Sequence, residues 1–124
     1  MDERRTLGQH GEDLAVSYLE KLGWQIVERN WRYSKVGEID IIAIEPNQGR
    51  GTLVFCEVKA KSGRGWGQPL EAITVKKLQR LHRLACVWMS THKTGFDHVR
   101  IDAIGIMLPP GQESTISHAK AVRL

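Results

Sequence analysis

Two neighbouring runs of apolar and β-branched residues constrain the fold of this chain more than any other feature. Val36–Glu45 and Thr52–Lys61 each have the length and composition of a β-strand. The segment between them, 46–51, combines the proline, asparagine and glycine residues that favour turns. The two runs are therefore predicted to pair as a β-hairpin.

The segments around this hairpin predict two helices and further strands. The first helix is indicated by apolar residues at helical spacing, followed by a glycine. Trp24, Ile26 and Glu28 are expected to share one face of the next strand. Pro69 is predicted to open the second helix, because proline is favoured at the first helical position. The predicted elements are a helix at Leu7–Leu22, strands at Trp24–Trp31, Val36–Glu45 and Thr52–Lys61, a helix at Pro69–Ser90, a strand at Phe96–Leu108 and an edge strand at Ser114–Val122.

This order of elements predicts an α/β domain with a mixed sheet and helices packed against it. With 124 residues, of which 41% are hydrophobic, the chain is expected to form one domain spanning 1–124. No apolar run approaches the roughly 18 residues that span a bilayer. The first five residues lack the apolar stretch of a signal peptide. We therefore expect a cytoplasmic protein with no membrane partner.

The net charge and the spacing of the cysteines indicate which kinds of ligand the protein is expected to bind. A formal net charge of +4 and a pI near 9.3 favour a polyanion. Cys56 and Cys86 lie far apart in apolar runs without a CxxC pattern, so they are predicted to be small core residues and not zinc ligands. The five histidines form no ligand pattern, and no role is assigned to them.

Charged residues emerge at the end of the otherwise apolar third strand. Because side chains alternate along a strand, Glu57 and Lys59 project on the same face, after Leu53 and Phe55. A charged pair beside a buried surface is costly unless it has partners. The alternative is a surface ion pair of little energetic consequence.

Asp40 interrupts the isoleucine-rich second strand. Aspartate is depleted in strands and disfavoured among aliphatic side chains, so its presence needs a reason. In an antiparallel hairpin Asp40 can lie beside Glu57, and a divalent cation would relieve the repulsion between the two carboxylates. Such hard oxygen ligands suit Mg²⁺ or Mn²⁺. The alternative is an aspartate that caps a turn or forms a salt bridge.

Two further acidic residues could join this cluster. Glu12 lies at the margin of the apolar stripe of the first helix, from which it could reach the sheet. Alternatively, it stabilises the helix N-terminus by about 0.3–1 kcal/mol. Glu38 shares the face of Asp40, where it either supports the site or pairs with a basic side chain, and the second role is favoured slightly.

The ordered set of these motifs resembles the PD-(D/E)xK nuclease superfamily. It is most similar to the YraN family of small bacterial proteins, which resemble Holliday-junction resolvases. The resemblance implies a restriction-endonuclease-like αβββαβ core and a metal-dependent nuclease site. Ile39 departs from the pattern, since a proline precedes the aspartate in the motif that names the superfamily. The matching segments are GQHGE at 8–12, GEID at 37–40, EVK at 57–59, GQPLEA at 67–72 and VRID at 99–102.

The resemblance also implies roles for individual residues. Asp40 and Glu57 would hold Mg²⁺ or Mn²⁺, and the Val58 backbone carbonyl would supply a third oxygen. Glu12 would complete the acidic shell directly or through water. Lys59 would orient or activate the attacking water and offset phosphate charge.

These roles predict a metal-dependent endonuclease that hydrolyses phosphodiester bonds in branched, flap or single-stranded DNA. The alternative is a non-catalytic nucleic-acid-binding or regulatory interaction domain that kept the nuclease fold. By analogy with resolvases, which act on symmetric junctions, a homodimer is expected.

Basic and polar residues near these motifs predict the nucleic-acid surface. The glycine-rich segment 62–67 could adapt to a phosphate backbone, and its tryptophan could stack on a base. The alternative is a solvated helix face beside a loop. The predicted DNA-binding residues are Lys61, Arg64, Trp66, Gln68, Lys76, Lys77 and Arg80.

Overall fold

A computed structural model describes residues 6–63, 68–92 and 95–122. It contains two α-helices, a short 3₁₀ helix and five strands. In chain order these are α1 (Leu7–Lys21), β1 (Gln25–Tyr33), β2 (Gly37–Glu45), β3 (Thr52–Lys61), the 3₁₀ helix (Pro69–Ala72), α2 (Val75–Thr91), β4 (His98–Met107) and β5 (Thr115–Ala119).

The five strands form one mixed sheet in the order β1-β2-β3-β4-β5. The β1–β2, β2–β3 and β4–β5 pairs are antiparallel, whereas β3 and β4 are parallel. The predicted β2–β3 hairpin is therefore confirmed, and β5 lies at the sheet edge as predicted. The parallel pair is joined by the segment that contains α2, as a parallel connection requires.

The two helices pack on opposite faces of the sheet, because successive strand residues point to alternate sides. Leu53 and Phe55 face α2, whereas Val54 and Cys56 face α1. The cluster on the α2 side also contains Ile39, Ile42, Leu78, Leu81, Leu84 and Trp88, and the cluster on the α1 side contains Ala15, Leu19, Trp24, Ile41, Ile104 and Ile106. The α/β fold with a restriction-endonuclease-like core is thus confirmed.

Helix α1 lies unusually close to β3. A Cβ atom added to Gly11 would lie 2.5 Å from the Cβ of Ala60, a separation that real side chains do not adopt. Thr6 caps the helix and accepts a hydrogen bond from the Gln9 N–H at 3.1 Å. The close approach and the cap place Glu12 at the surface of the sheet, where it is buried.

The prediction that Pro69 opens the second helix is wrong. Pro69 begins the 3₁₀ helix, and Ile73 then adopts an extended conformation. Thr74 is the N-cap of α2, since its hydroxyl accepts a hydrogen bond from the Lys77 N–H at 3.2 Å. The helix therefore begins at Val75, where a side-chain cap satisfies its first turn.

The predicted common face is confirmed for Trp24 and Ile26, which both pack on the α1 side, but it is wrong for Glu28. A register shift between Ile26 and Glu28 breaks the alternation of side chains in β1. Ile26 packs on the α1 side, whereas the Glu28 carboxylate accepts a hydrogen bond from Trp88 Nε1 at 3.2 Å on the α2 side. Trp24 itself precedes the strand and is buried on the α1 side.

The two cysteines have different environments. Cys56 is fully buried and packs with the α1-side core, as predicted. Cys86 is exposed, contrary to the prediction, because it lies away from the apolar stripe of α2. Within the described ranges, neither helix has the length and apolar character needed to cross a membrane.

Candidate active site

The candidate site lies where β2 and β3 separate. Their pairing runs from Glu45 opposite Thr52 to Ile41 opposite Cys56. Beyond this point, the Val58 N–H donates a hydrogen bond to Asp40 Oδ2 at 2.8 Å. The Asp40 carboxylate thus takes the place of a main-chain carbonyl as the acceptor. This hydrogen bond holds Asp40 in the opening between the strands.

The surroundings of Asp40 favour its protonated form. Burial, followed by the negative charge of Glu57, raises the pKa of Asp40 from 3.8 to about 7. The Val58 hydrogen bond opposes this shift, and the charges of Glu12 and Glu38 add to it. The strand opening therefore concentrates negative charge that one hydrogen bond does not compensate.

Glu57 lies between the acidic residues that surround Asp40 and the basic residues of α2. Burial raises the pKa of Glu57, whereas the charges of Lys77, Arg80 and Lys59 lower it. The unbroken β3–β4 register places Glu57 and Lys59 on the α2 face, as the alternation predicted. In the structure Asp40 thus interacts with Glu57, and Glu57 with Lys59, at one end of the sheet.

Glu12 is held by partners that the sequence did not reveal. Its Oε1 atom accepts hydrogen bonds from Arg29 Nη2 at 3.1 Å and Asn30 Nδ2 at 2.9 Å. Asn30 adopts a φ of 52°, a left-handed conformation that asparagine tolerates better than most residues. Arg29 also pairs with Asp13 at 2.6 Å. The Glu12 carboxylate therefore already has a cationic partner.

A polar cavity of about 620 Å³ lies beside Asp40. Its walls come from the N-terminal part of α1, the middle of β1 and the opening between β2 and β3. The lining includes Gln9, Glu12, Arg29, Asn30, Glu38, Asp40 and Val58. Glu38 pairs with Arg32 at 3.6 Å, which is the basic-partner role that the sequence favoured.

The residues around the strand opening fit a divalent cation in part. In the described portion of the chain, no group of three or more histidine, cysteine, aspartate or glutamate side chains is arranged to hold a metal ion. Asp40 and Glu57 nevertheless form a pair of interacting carboxylates next to the Val58 backbone. Magnesium commonly uses one or two carboxylates and completes its shell with water and substrate oxygens. The pair therefore fits such an ion, whereas Glu12 is engaged by Arg29.

The predicted DNA-binding residues occupy several places. Lys76, Lys77 and Arg80 line one groove beside α2. Gln68 is exposed before the 3₁₀ helix, and Lys61 is partly buried at the end of β3. Arg64 and Trp66 lie outside the described residues. The sequence analysis missed Lys35, which reaches the same groove from the β1–β2 turn.

A second buried carboxylate, Asp102, lies in the middle of β4. It accepts hydrogen bonds from Arg100 Nε at 2.7 Å, Arg100 Nη2 at 3.0 Å, His118 Nε2 at 2.8 Å and the Ala121 N–H at 3.1 Å. Burial raises the pKa of Asp102, but the hydrogen bonds from His118 and Arg100 outweigh it and lower the pKa below 3.8.

This network extends to α1 and β2. The Tyr18 hydroxyl lies 2.9 Å from His118 Nδ1. Arg100 Nη1 pairs with Glu45 at 2.6 Å, and Lys120 pairs with the same carboxylate at 2.8 Å. The sequence assigned His118 no role, because its partners lie far away along the chain.

The mixed five-stranded sheet and its flanking helices define a restriction-endonuclease-like α/β domain, with paired carboxylates and a lysine where β2 and β3 diverge. The profile of the family described as "Uncharacterised protein family UPF0102" matches residues 11–106. This protein therefore belongs to UPF0102, the YraN family that its motifs resemble.

Several relatives match nearly the whole chain. A UPF0102 protein of Nocardia farcinica is 40% identical over 120 residues, covering 97% of this chain and 91% of the relative. One of Rhodococcus opacus is 42% identical over 120 residues, covering 97% and 98%. One of Pseudarthrobacter chlorophenolicus is 43% identical over 122 residues, covering 98% and 89%.

Proposed function

We propose that this protein is a metal-dependent endonuclease that hydrolyses phosphodiester bonds in DNA. The observation that carries the proposal is the pair of carboxylates at the strand opening, where the charge of Glu57 raises the pKa of Asp40. Lys59 shares the face of Glu57 and stabilises its charge. Two carboxylates and one lysine are the groups needed to hold a divalent cation and a phosphate together.

The proposed chemistry divides the work among these residues. A bound Mg²⁺ or Mn²⁺ ion would polarise the scissile phosphate and lower the pKa of a coordinated water. Asp40, Glu57 and the Val58 carbonyl would hold the ion. Lys59 orients the attacking water and offsets the charge that develops on the phosphate.

Glu12 acts through Arg29 in this proposal. Arg29 Nη2 holds the Glu12 carboxylate at 3.1 Å and lines the same cavity as Asp40. Glu12 would complete the acidic shell around a bound cation through water. The guanidinium lines this cavity, where it would offset phosphate charge.

A cleavage assay tests the proposal. The wild-type chain should nick junction, flap or single-stranded DNA when Mg²⁺ or Mn²⁺ is added. Asp40→Asn and Lys59→Met should each lower the rate by about 100-fold or more, since each removes a group that acts in the transition state. Circular dichroism should show that both variants keep the wild-type secondary structure.

Matched controls come from the exposed end of α1. Glu20→Gln and Lys21→Met remove the same kinds of charge from exposed positions, and both should cleave like the wild type. Cleavage that persists in Asp40→Asn and Lys59→Met would contradict the proposed site. So would equal losses in all four variants.

A non-catalytic nucleic-acid-binding or regulatory domain is the second candidate. It is favoured by the ion pair between Glu12 and Arg29, which withdraws one carboxylate from a metal site. Mn²⁺ at 100 times its dissociation constant should stabilise a nuclease by about 2.7 kcal/mol, seen as a higher Tm. The second candidate predicts no Tm shift with Mn²⁺ and no cleavage.

Cutting a junction at two symmetric points would require two copies of the site. We therefore propose a homodimer for this activity, since two-fold pairs are the commonest oligomers. Sedimentation with and without junction DNA should detect a species of twice the monomer mass. A monomer that cuts only one strand of each junction would contradict this part of the proposal.

A further inference from the structure

A basic groove lies between α2 and the turn that joins β1 to β2. Its cavity volume is about 810 Å³, and none of the described residues that line it is acidic. This groove, termed the α2 groove, is lined by the basic side chains of Lys35, Lys76, Lys77, Arg80 and Arg83. Five cations around one concave surface create a positive potential that attracts a polyanion.

These five cations differ from Arg29 and Arg100, each of which forms a salt bridge with a carboxylate. Arg29 pairs with Glu12, and Arg100 pairs with Asp102. In contrast, none of the five α2-groove cations forms a salt bridge within the described chain. Their charge therefore remains available to a ligand, although two of them also stabilise the charge of Glu57.

An aromatic pair ends β1 immediately before the turn that lines the α2 groove. The rings of Trp31 and Tyr33 are stacked, with centroids 6.0 Å apart and planes 16° from parallel. Trp31 packs against the α2-side core and supports Tyr33, whose surface is 43% exposed. Tyr33 immediately precedes Ser34 and Lys35, which line the groove. A cationic groove beside an open ring is the arrangement that binds single-stranded nucleic acid.

The stacking position discriminates between unpaired and paired DNA. In a duplex, both faces of an internal base are covered by its neighbours, so only an unpaired base can present a face to Tyr33. The α2 groove also leads to the candidate site. Arg80 lies across Gly37 at the start of β2, and a Cβ atom at that glycine would lie 3.1 Å from Arg80 Cδ.

We propose that the α2 groove binds an unpaired DNA strand, with its phosphates on the basic side chains and one base stacked on Tyr33. This inference deepens the proposed nuclease function, because the groove would deliver the bound strand to Asp40 and Glu57. That delivery rests on the proposed function. The binding step itself needs no metal ion. It can therefore be measured apart from cleavage.

Fluorescence anisotropy of the full chain in a metal chelator tests the groove, using labelled oligothymidine and a duplex of equal length. The wild type should bind the single strand more tightly. Tyr33→Ala should weaken single-strand binding by roughly 5- to 150-fold, the effect of losing one stacked base, without changing duplex binding. Lys35→Ala should reduce the slope of log affinity against log salt by about 0.7.

Two matched variants separate stacking and local charge from general effects. Tyr33→Phe retains the ring and should keep most of the affinity. Lys21→Ala removes a lysine from the last turn of α1 and should leave affinity and salt slope unchanged. Wild-type affinity in Tyr33→Ala would overturn the proposal, as would duplex binding that equals single-strand binding. Wild-type binding as described, with no cleavage on adding metal, would refute the proposed function and support the groove.

Discussion

Asp40 and Asp102 are aspartates in the same sheet, yet their pKa values are shifted in opposite directions. Asp102 has no exposed surface, but its pKa is lowered because Arg100, His118 and the Ala121 N–H donate to it. Asp40 is only partly buried, but its pKa is raised to about 7 by burial and by the charge of Glu57. Burial raises the pKa of both aspartates, and the hydrogen-bond donors around Asp102 outweigh that effect whereas the one around Asp40 does not.

The comparison distinguishes a structural carboxylate from a candidate functional one. Asp102 has its hydrogen-bonding capacity filled by the protein itself. Asp40 accepts a hydrogen bond from the Val58 N–H and faces further acidic groups. Carboxylates left in this state at a cavity are candidates for a functional site.

The largest expected effect comes from removing the charge of Asp102. Asp102→Asn should lower the free energy of unfolding by about 3–5 kcal/mol, because it removes the buried anion to which Arg100, His118 and the Ala121 N–H donate and leaves Arg100 with Glu45 alone. Asp40→Asn is the matched variant, and it should leave stability unchanged or raise it, because it removes a repelled charge. Urea unfolding of both variants measures the difference. Equal losses in the two variants would break the comparison.

The next effect is a difference in pH dependence. Between pH 3.8 and about 7, folded Asp40 holds a proton that the unfolded chain releases, so the free energy of unfolding should fall as pH rises through this window. The stability that Asp102 contributes is instead present above pH 3.8 and lost as pH falls below that value.

Urea unfolding in a metal chelator from pH 4 to pH 8 measures this dependence. The stability of the wild type minus that of Asp40→Asn should decrease as pH rises, since contributions from histidines cancel in the difference. A difference that stays constant with pH would show that Asp40 ionises normally. The contrast with Asp102 would then be lost.

The smallest expected effect tests whether the Tyr18 hydroxyl, at the edge of the Asp102 network, contributes to stability. Tyr18→Phe removes the hydroxyl that lies 2.9 Å from His118 Nδ1. It should lower the free energy of unfolding by about 0.5–1.5 kcal/mol, the net contribution of one hydrogen bond. Thermal unfolding, with Tyr33→Phe as the exposed control, measures it. A loss as large as that of Asp102→Asn would mean that the hydroxyl is essential to the network.

The sequence predicted the features that depend on local patterns. Asp40 stood out because it interrupts an aliphatic run, and the alternation of β3 placed Glu57 and Lys59 on one face. The β2–β3 hairpin was predictable because its two strands are joined by a short loop.

Features that depend on distant partners could not be predicted in this way. Asp102 receives two of its four hydrogen bonds from residues 16 and 19 positions away, and the network reaches Tyr18 across 100 positions from His118. Asn30, which donates a hydrogen bond to Glu12, has a left-handed φ of 52°, which strand periodicity does not anticipate. The start of α2 was misplaced because Pro69 favours helix initiation but Thr74 provides the cap.

The contact between Gly11 and Ala60 makes the side chain allowed at one position depend on the side chain at the other. A methyl group at residue 11 would overlap the Ala60 side chain, so α1 would have to shift outward and carry Glu12 with it. Substitution of Ala60 by glycine would free the space that such a methyl group needs. A larger side chain at position 11 therefore needs either glycine at position 60 or an outward shift of α1, so these two positions act as a spacer between α1 and β3.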